Sequence, residues 1–268
     1  MRINYHIHTV FSDGSSSIRD YCEIAIQKGF EEIAFTDHLT VFPDGSADPH
    51  SLNTISIEDY VKEIKSISLE YEGRLIIRLG VEVDYIPGSE NIIEKILEGY
   101  DFDLVIGSVH FIDNVCIDSL KHRNLVENMI RENGFDSLYS KYLKLVSKAV
   151  ETGFFNIIGH IDIVRIWGFN PADGLKDEQK VLEFIKEKGI CLEVSSRGLR
   201  QPVSSIYPSL RILKRAYELG IPVTIGTDAH SVEEIDYAYD FLIEYVKSVG
   251  YSHITLFDKR RPLKRKIE

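Results

Sequence analysis

The chain has 268 residues, of which 44% are hydrophobic and 27% are charged, and its formal net charge at pH 7 is −11. This composition is typical of a globular protein and excludes a disordered one, while no run approaches the ~20 apolar residues of a membrane span. The acidic balance argues against binding along a nucleic-acid backbone, which favours basic surfaces. We therefore expect neither a membrane nor a long nucleic acid among its partners, although one locally positive cleft can still bind a small anion.

The cysteines and the first residues of the chain bear on its compartment. Cys22, Cys116 and Cys191 lie far apart in the sequence and form no pair with metal-ligand spacing. An odd, scattered set of this kind argues against a disulfide framework. The chain also enters an apolar segment at once, without the charged and apolar regions of a signal peptide. We expect a cytoplasmic protein with reduced cysteines.

Apolar, β-branched segments alternate with helical patterns along the whole chain. The predicted strands are RINYHIH, EIAFTDH, LIIRLGVEVDYI, DLVIGSVH, FNIIGHID, CLEVSS and PVTIGTDAH. The predicted helices are Ser17–Gly29, Ile57–Tyr71, Leu138–Val150, Asp177–Lys188, Pro208–Leu219 and Glu233–Val249. Residues 40–56 and 113–134 have the composition of irregular loops, and the basic end DKRRPLKRKIE predicts a solvated tail.

Strand and helix repeat about seven times, which predicts a parallel sheet with helical crossovers. The length fits a closed or nearly closed α/β barrel, and we expect a single domain over residues 1–268. In such a barrel the carboxyl ends of the strands share one face, where active sites are built. The residues at the strand ends therefore carry the functional prediction.

Six of the nine histidines occupy these predicted strand ends, with acidic residues beside them. They are His6, His8, His38, His110, His160 and His230. Side chains two residues apart on a strand point to the same side, so the first two can aim inward together. Without metal, so many buried imidazoles would need many polar partners. The set therefore predicts a metal centre for Zn, Mn or Fe, whereas His50, His122 and His253 lie in loops or near the tail and are predicted surface residues.

The same positions carry a family resemblance. Its motifs are H-x-H at residues 6–8, SDG with Asp13, TDH with His38, GVEVDYIPG with Glu82, GSVH with His110, GHID with His160 and GTDAH with Asp228 and His230. In these motifs the sequence resembles the polymerase-and-histidinol-phosphatase (PHP) superfamily over nearly its whole length. The segments EVDYIPG, DFDLVIGSVHFID, GHIDIVR and LEVSSRGLRQP look most like its histidinol-phosphate phosphatases.

The resemblance implies a distorted (β/α)7 barrel with three divalent metal ions at the C-terminal face of its strands. By this resemblance the first ion takes His6, His8, Glu82 and Asp228. Glu82 then bridges to a second ion, which is completed by His110 and His160. The third ion takes Asp13, His38 and His230, and carboxylate at the first of these positions suits a hard divalent ion.

Such a cluster predicts phosphate ester hydrolysis, because divalent ions neutralise the ester and lower the pKa of water. Arginine offers paired donors to phosphate oxygens, and Arg165, Arg197 and Arg200 lie close enough to strand ends to do so. In the family the segment before Gly-Leu-Arg often reads Asn-Thr-Ser, so Arg197 departs from that pattern. Asp228 or His230, acting through a metal-bound water, is expected to supply the proton for the leaving alcohol.

The resemblance therefore implies a phosphatase that converts L-histidinol phosphate to L-histidinol and phosphate in histidine biosynthesis. One alternative is a phosphodiesterase or nuclease of the same superfamily that acts on nucleotides or short nucleic acids, because the same metal site would serve. Another is a non-catalytic module whose ions brace the barrel, although structural metal sites usually have closed coordination by a few ligands.

Overall fold

The computed structural model describes residues 2–53, 56–172 and 176–267. Its strands are β1 (Arg2–Asn4), β2 (Phe30–Phe35), β3 (His38–Leu39), β4 (Ile76–Asp84), β5 (Leu104–Ser108), β6 (Phe111–Ile112), β7 (Val115–Cys116), β8 (Ile157–Ile158), β9 (Cys191–Ser195), β10 (Val223–Gly226), β11 (His253–Asp258) and β12 (Arg261–Lys266). Its α-helices are α1 (Ile18–Gln27), α2 (Ser56–Glu70), α3 (Glu90–Glu98), α4 (Arg123–Asn133), α5 (Phe135–Thr152), α6 (Lys176–Lys188), α7 (Leu210–Leu219) and α8 (Tyr239–Val249). Short 3-10 helices span Leu120–His122, Ile163–Arg165, Arg197–Arg200 and Val232–Glu234.

Eight of these strands form one sheet in the order β1-β2-β4-β5-β8-β9-β10, with β3 paired to β4. All of the pairings in this sheet are parallel. The chain beyond β1 closes the sheet against the chain around β10, because the Tyr5 N–H donates to the Ile225 carbonyl and the His8 N–H to the Ala229 carbonyl, both at 2.9 Å. Helices pack against the outside of the strands. The predicted distorted (β/α)7 barrel is confirmed.

The helices are stabilised by local sequence signals and by the apolar side chains that each of them buries. In α1 the Ser17 hydroxyl accepts from the Asp20 N–H while the Asp20 carboxylate accepts from the Ser17 N–H, which forms a capping box. The helix then gives way to Gly29 at a φ of 74°, a left-handed conformation that glycine adopts without a Cβ penalty. Among the described helices, none combines the length and the apolar composition needed to cross a bilayer.

The structure differs from the predicted elements in three helical regions. Helix α3 was not predicted; it is short and buries only Ile93 and Leu97. Helix α4 lies inside the predicted loop 113–134, where a single fully buried side chain, Val126, leaves little periodic signal. The helix predicted from residue 233 begins at residue 239, because Ala238 takes a left-handed φ of 53° that breaks the helix there. Of the other predicted loop, 40–56, positions 54 and 55 lie outside the described residues.

The basic C-terminal segment is not a free tail. Strands β11 and β12 form an antiparallel hairpin that pairs Asp258 with Arg261 next to the turn. Lys259 and Arg260 both have positive φ, 49° and 64°, which is the geometry of the two-residue turns that join hairpin strands. The Asp103 side chain and carbonyl accept the backbone N–H groups of these two turn residues at 3.0 and 2.7 Å. The side chains of β12 are exposed, so only the solvation of this segment was predicted correctly.

Candidate metal centre

The predicted metal ligands converge at the carboxyl ends of the barrel strands. The nine residues are His6, His8, Asp13, His38, Glu82, His110, His160, Asp228 and His230. Three overlapping groups contain all nine, and within each group the candidate ligand atoms lie within 4.8 Å of one another: His6, His8 and Asp228; Glu82, His110 and His160; and His8, Asp13, His38 and His230. Residues up to 222 positions apart in sequence thus meet because every strand of a parallel barrel ends on the same face.

The first group joins the two ends of the chain. His6 and His8 follow β1, and Asp228 follows β10. The Nε2 atoms of these histidines lie 3.9 and 3.3 Å from Asp228 Oδ1. Glu82, within β4, brings its Oε2 atom to 3.2 Å from His6 Nε2 and 3.5 Å from His8 Nε2. Glu82 therefore adds a second carboxylate beside the two imidazoles of this group.

The second group uses the other oxygen of the same glutamate. Glu82 Oε1 lies 3.0 Å from His160 Nε2 and 3.9 Å from His110 Nε2. The Ser108 hydroxyl donates to this oxygen at 2.5 Å. Because its two oxygens face different histidine groups, Glu82 has the orientation that a bridging carboxylate requires.

The third group is more open to solvent than the first two. His230 Nε2 lies 3.2 Å from Asp13 Oδ2, and His38 Nε2 lies 3.7 Å from Asp13 Oδ1. His8 Nδ1 is 3.8 Å from the same Asp13 oxygen, so this histidine faces both the first and the third group. The Asp13 side chain is 35% exposed, whereas His8 is fully buried. This group therefore lies at the solvent side of the cluster.

The charges around the cluster favour the ligand forms of His8 and Glu82, whereas the facing carboxylates outweigh burial and raise the pKa of His6, His38 and His110. Burial and the neighbouring His38 and His230 lower the pKa of His8 to about 3, so its imidazole is neutral at neutral pH. Burial alone would raise the pKa of Glu82, but His6 and His38 outweigh it and hold the pKa well below its usual range. A neutral imidazole and an ionised carboxylate are the forms that bind a divalent cation.

The hydrogen bonding of the cluster tests whether these residues fit a metal. Buried polar atoms normally have partners, and leaving them without one is costly. Several buried atoms of the cluster have no hydrogen-bond partner among the described residues. They are His6 Nε2, His8 Nδ1, His8 Nε2 and His160 Nδ1, whereas His38 Nδ1 and Glu82 Oε2 lie 2.9 Å from each other. A concentration of unpaired imidazole nitrogens around one carboxylate fits divalent cations of the Zn, Mn or Fe type.

Two carboxylates that the sequence analysis did not single out fix the orientation of the histidines. Glu193 Oε1 lies 2.6 Å from His6 Nδ1, and Glu193 Oε2 accepts from the His160 N–H at 2.8 Å. Asp84 Oδ1 lies 2.6 Å from His110 Nδ1. Partners of this kind orient ligating imidazoles and select their tautomer. The signal available in the sequence was an acid inside an apolar strand, as in CLEVS and VEVD.

The space for Glu193 depends on a glycine in the neighbouring strand. A Cβ atom on Gly226 would lie 2.2 Å from Glu193 Oε1 and 2.7 Å from the His6 Cβ atom. Only a residue without a side chain leaves the glutamate room to reach the imidazole at this position. The glycine in the motif GTDAH therefore serves the site as well as the strand.

A further buried carboxylate supports the loop that carries Asp13. Asp37 Oδ1 accepts from the Thr9 N–H at 2.8 Å and from the Ser12 hydroxyl at 2.7 Å. Burial raises the pKa of Asp37 to about 6 despite these hydrogen bonds. The chain from residue 9 to residue 13 is thus tied to the end of the second strand, beside His38.

The three predicted phosphate-binding arginines have different surroundings. Arg197 Nη1 donates to Asp228 Oδ1 at 3.1 Å and lies 3.3 Å from His230 Nδ1, so its guanidinium reaches the cluster. Arg200 instead donates to the backbone carbonyl oxygens of Thr227 and Asp228, at 2.9 and 2.8 Å. Arg197 therefore contacts the metal groups. Arg200 stabilises the loop that carries the predicted ligands Asp228 and His230.

Arg165 is buried in a separate hydrogen-bond network. Its guanidinium donates to Asp162, Asn170 and Ser205 at 2.7, 3.0 and 3.1 Å. It is 6% exposed and does not line the cavity described below. Its predicted part in phosphate binding stays a prediction, and these contacts do not support it.

A cavity of about 550 Å³ lies above the cluster. It is lined on the metal side by Asp13, His38, His110 and Arg197, and on its outer side by residues that include His50, Asp118 and His122. His122 is half-buried and its Nδ1 accepts from the Cys116 N–H at 3.0 Å, so the prediction of a plain surface residue was wrong. His50 and His253 are exposed as predicted, although the former borders the cavity.

Fold and site together define a parallel α/β barrel with a candidate metal centre at the carboxyl ends of its strands. Residues 4–197 match the family model described as PHP domain. The chain belongs to the PHP domain family. The predicted family resemblance is confirmed.

Individual relatives extend the match to nearly the whole chain. The chain is 31% identical over 251 residues to a protein of Deinococcus radiodurans named probable histidinol-phosphatase, covering 93% of this chain and 94% of the relative. It is also 31% identical over 262 residues to the histidinol-phosphatase of Bacillus subtilis, covering 89% and 97%. Among solved structures it is similar to the histidinol phosphate phosphatase of Lactococcus lactis, a complex with zinc, L-histidinol and phosphate. That match has a TM-score of 0.78 and 24% identity, covering 98% of this chain and 99% of the other.

Proposed function

We propose that this protein is a metal-dependent phosphatase that hydrolyses L-histidinol phosphate to L-histidinol and phosphate. The observation that carries the proposal is the cluster itself: Glu82 presents one oxygen to His6 and His8 and the other to His110 and His160. The two relatives at 31% identity, both named for this phosphatase activity, support the choice of substrate.

We further propose three divalent ions per chain, one for each group. His6, His8, Glu82 and Asp228 would hold the first; Glu82, His110 and His160 the second; and Asp13, His38 and His230 the third. When bound, such ions offset the charge of the phosphate ester and lower the pKa of the attacking water. Zn, Mn and Fe all accept this mixture of imidazole and carboxylate.

The reaction transfers a phosphoryl group from the alcohol to water: one P–O bond forms to the water oxygen, and the ester P–O bond breaks. Arg197 stands beside Asp228 and His230, so its guanidinium can hold a phosphoryl oxygen with planar, paired donors. The leaving alcohol oxygen needs a proton. The attacking water gives up the proton that this oxygen takes, and we assign the relay of that proton to the pair Asp228 and His230, which lie 3.5 Å apart on the arginine side of the cluster.

The choice of a small ester over a nucleic acid is supported by the net charge of −11. A phosphate backbone favours basic surfaces. We propose that one catalytic domain spans residues 1–268 and that it works in the cytoplasm.

The first experiment measures metal content by elemental analysis, together with phosphate release from L-histidinol phosphate before and after chelation. We expect roughly three metals per chain and activity that is lost on chelation and restored by metal. A His110→Ala variant should lose metal and activity, whereas His253→Ala, which changes an exposed histidine far from the cavity, should keep both.

A parallel assay compares L-histidinol phosphate with an aryl phosphate and an aryl phosphodiester. Metal-loaded protein that cleaves the diester faster than either monoester would support a phosphodiesterase instead. Protein that binds three metals and hydrolyses none of the three esters would support a non-catalytic module. Absence of bound metal under metal-replete conditions would refute the metal centre.

A further inference from the structure

Asp118 is a cavity carboxylate that has no part in the proposed metal groups and little hydrogen bonding of its own. Asp118 lies between β7 and the 3-10 helix at Leu120–His122, and it lines the cavity together with Arg197 and His110. Its side chain is 16% exposed. It is therefore a charge that a ligand in this cavity can contact directly.

Three other carboxylates of the cavity already have close hydrogen-bonding or ionic partners. Asp13 faces His230 at 3.2 Å, and Asp84 lies 2.6 Å from His110 Nδ1. Asp48 accepts from the His50 N–H at 2.8 Å within its own loop. Each of these three carboxylates therefore already orients a histidine or stabilises a turn.

Asp118 is held more loosely. Its Oδ2 atom lies 3.6 Å from Arg197 Nη2, an ion-pair distance beyond that of a good hydrogen bond. Its Oδ1 atom accepts from the Cys116 thiol at 3.1 Å, and a thiol is a weak donor. Among the described residues these are its ion-pair and hydrogen-bond partners, so the carboxylate retains most of its capacity to accept.

The position of this charge is unfavourable for a plain phosphate ester. Arg197 extends one nitrogen towards Asp228 and the other towards Asp118, so a phosphate held by the guanidinium lies near both the cluster and this carboxylate. Two negative charges at such a distance repel each other in a partly buried site. An ester that carries its own positive charge next to the phosphate removes this repulsion.

We infer that Asp118 binds the ammonium group of an amino-alcohol phosphate and thereby makes the site selective for esters that carry a positive charge beside the phosphate. The inference rests on the proposed function. In L-histidinol phosphate the ammonium group is on the carbon next to the ester methylene, so the metal cluster and Arg197 can hold the phosphate while Asp118 binds the ammonium group. The carboxylate is a specificity residue and takes no part in breaking the P–O bond.

The test uses two pairs of esters that differ in the ammonium group. The first pair is L-histidinol phosphate and its deaminated analogue, 3-(imidazol-4-yl)propyl phosphate; the second is 2-aminoethyl phosphate and propyl phosphate. Steady-state kinetics are measured on metal-loaded wild type and on Asp118→Asn, which keeps the shape and removes the charge. The wild type should prefer the ammonium ester in each pair. The variant should lose about 10- to 100-fold in kcat/KM on the ammonium esters, mainly through KM. On the two esters that lack the ammonium group, kcat/KM should stay within about threefold of the wild type.

Two further variants separate this contact from general effects. Asp118→Glu retains the charge and should retain the preference for ammonium esters. Asp113→Asn removes a charge from the turn of the β6–β7 hairpin, where the side chain is 63% exposed and pairs with Lys141 outside the cavity, and it should match the wild type. Circular dichroism and metal content establish that each variant is folded and loaded.

The outcomes separate this inference from the proposed function. An equal loss on both members of a pair in Asp118→Asn would mean that the residue only positions Arg197, and the inference would be overturned. It would also be overturned by a wild type without preference for the ammonium esters, or by a variant that keeps that preference. Wild type that hydrolyses only the second pair would refute histidinol phosphate as substrate while the ratio within that pair still decides on Asp118. Wild type inactive on both pairs would refute both statements.

Discussion

Replacing Glu193 by glutamine tests how the buried carboxylate prepares His6 for metal. Both carboxylate oxygens accept, one from the His6 ring at 2.6 Å and the other from the His160 N–H at 2.8 Å. An amide has only one accepting oxygen. Because the backbone N–H of His160 can only donate, the amide oxygen must face it and the amide NH2 group must face His6 Nδ1.

That exchange reverses the tautomer of the imidazole. A proton on His6 Nδ1, facing the Glu193 carboxylate, leaves the Nε2 lone pair free for a metal ion on the side of Glu82 and Asp228, whose oxygens lie 3.2 and 3.9 Å from Nε2. In Glu193→Gln the ring nitrogen at Nδ1 must accept, so the proton moves to Nε2 and the lone pair is lost to the first metal group. The loss of a hydrogen bond to a charged group amounts to about 1.5–3 kcal/mol, which corresponds to roughly 10- to 100-fold weaker metal binding.

Metal titration of chelator-treated protein, followed by calorimetry, measures this loss directly. The matched control is Glu32→Gln, which changes a glutamate that is equally buried at 1% exposure but belongs to a network with Tyr5 and Arg78 away from the cluster. Both variants should lower the Tm of the metal-free protein by roughly 3–12 °C, since a loss of about 1.5–3 kcal/mol shifts the Tm of a chain of this size by about 2–4 °C per kcal/mol. Only Glu193→Gln should weaken metal binding. Wild-type metal affinity in Glu193→Gln, or an equal loss of affinity in the control, would refute the tautomer argument.

Three further predictions concern the arginines and the ions. Arg197→Met should raise KM for L-histidinol phosphate by about 100-fold with metal content unchanged, because it removes a phosphate donor but no metal ligand; kinetics and elemental analysis check both. Arg200→Met should lower the free energy of unfolding by about 1.5–3 kcal/mol in denaturant titrations, because it removes two hydrogen bonds to the carbonyls of Thr227 and Asp228. Chelation should lower the Tm in scanning calorimetry, because an ion present at a thousand times its Kd stabilises the folded chain by about 4 kcal/mol per site.

The sequence predicted the barrel and the convergence of nine residues because both depend on strong, local patterns. Alternation of apolar strands with helical segments specifies a parallel sheet. A polar side chain at a strand end is then on the active face wherever it occurs in the chain, and the period of two aims His6 and His8 to the same side. His38 and Glu82 are an example from different strands: the structure pairs them in register, one on β3 and the other on β4.

The orienting carboxylates could not be predicted in the same way. Glu193 and Glu32 both lie in apolar strands and both are 1% exposed, yet the first contacts His6 and the second contacts Arg78. The difference is the height of each residue along its strand, and it depends on the stagger between neighbouring strands, which the sequence alone does not specify. Gly226 is informative only once this stagger is known, because its missing side chain then explains how Glu193 reaches the ring.

The two arginines of the segment Arg197–Arg200 show why side-chain partners are harder to predict than position. Both lie in one 3-10 turn, three residues apart, where side chains share a face. Asp228 has a left-handed φ of 53°, a conformation that is costly for a residue with a Cβ atom. Arg200 meets the carbonyl oxygens of this turn and also pairs with Glu234 at 3.2 Å, so it stabilises the strained loop, and Arg197 is left to reach the cluster. The strain is functional, because the same turn aims the Asp228 carboxylate at the histidines that follow β1.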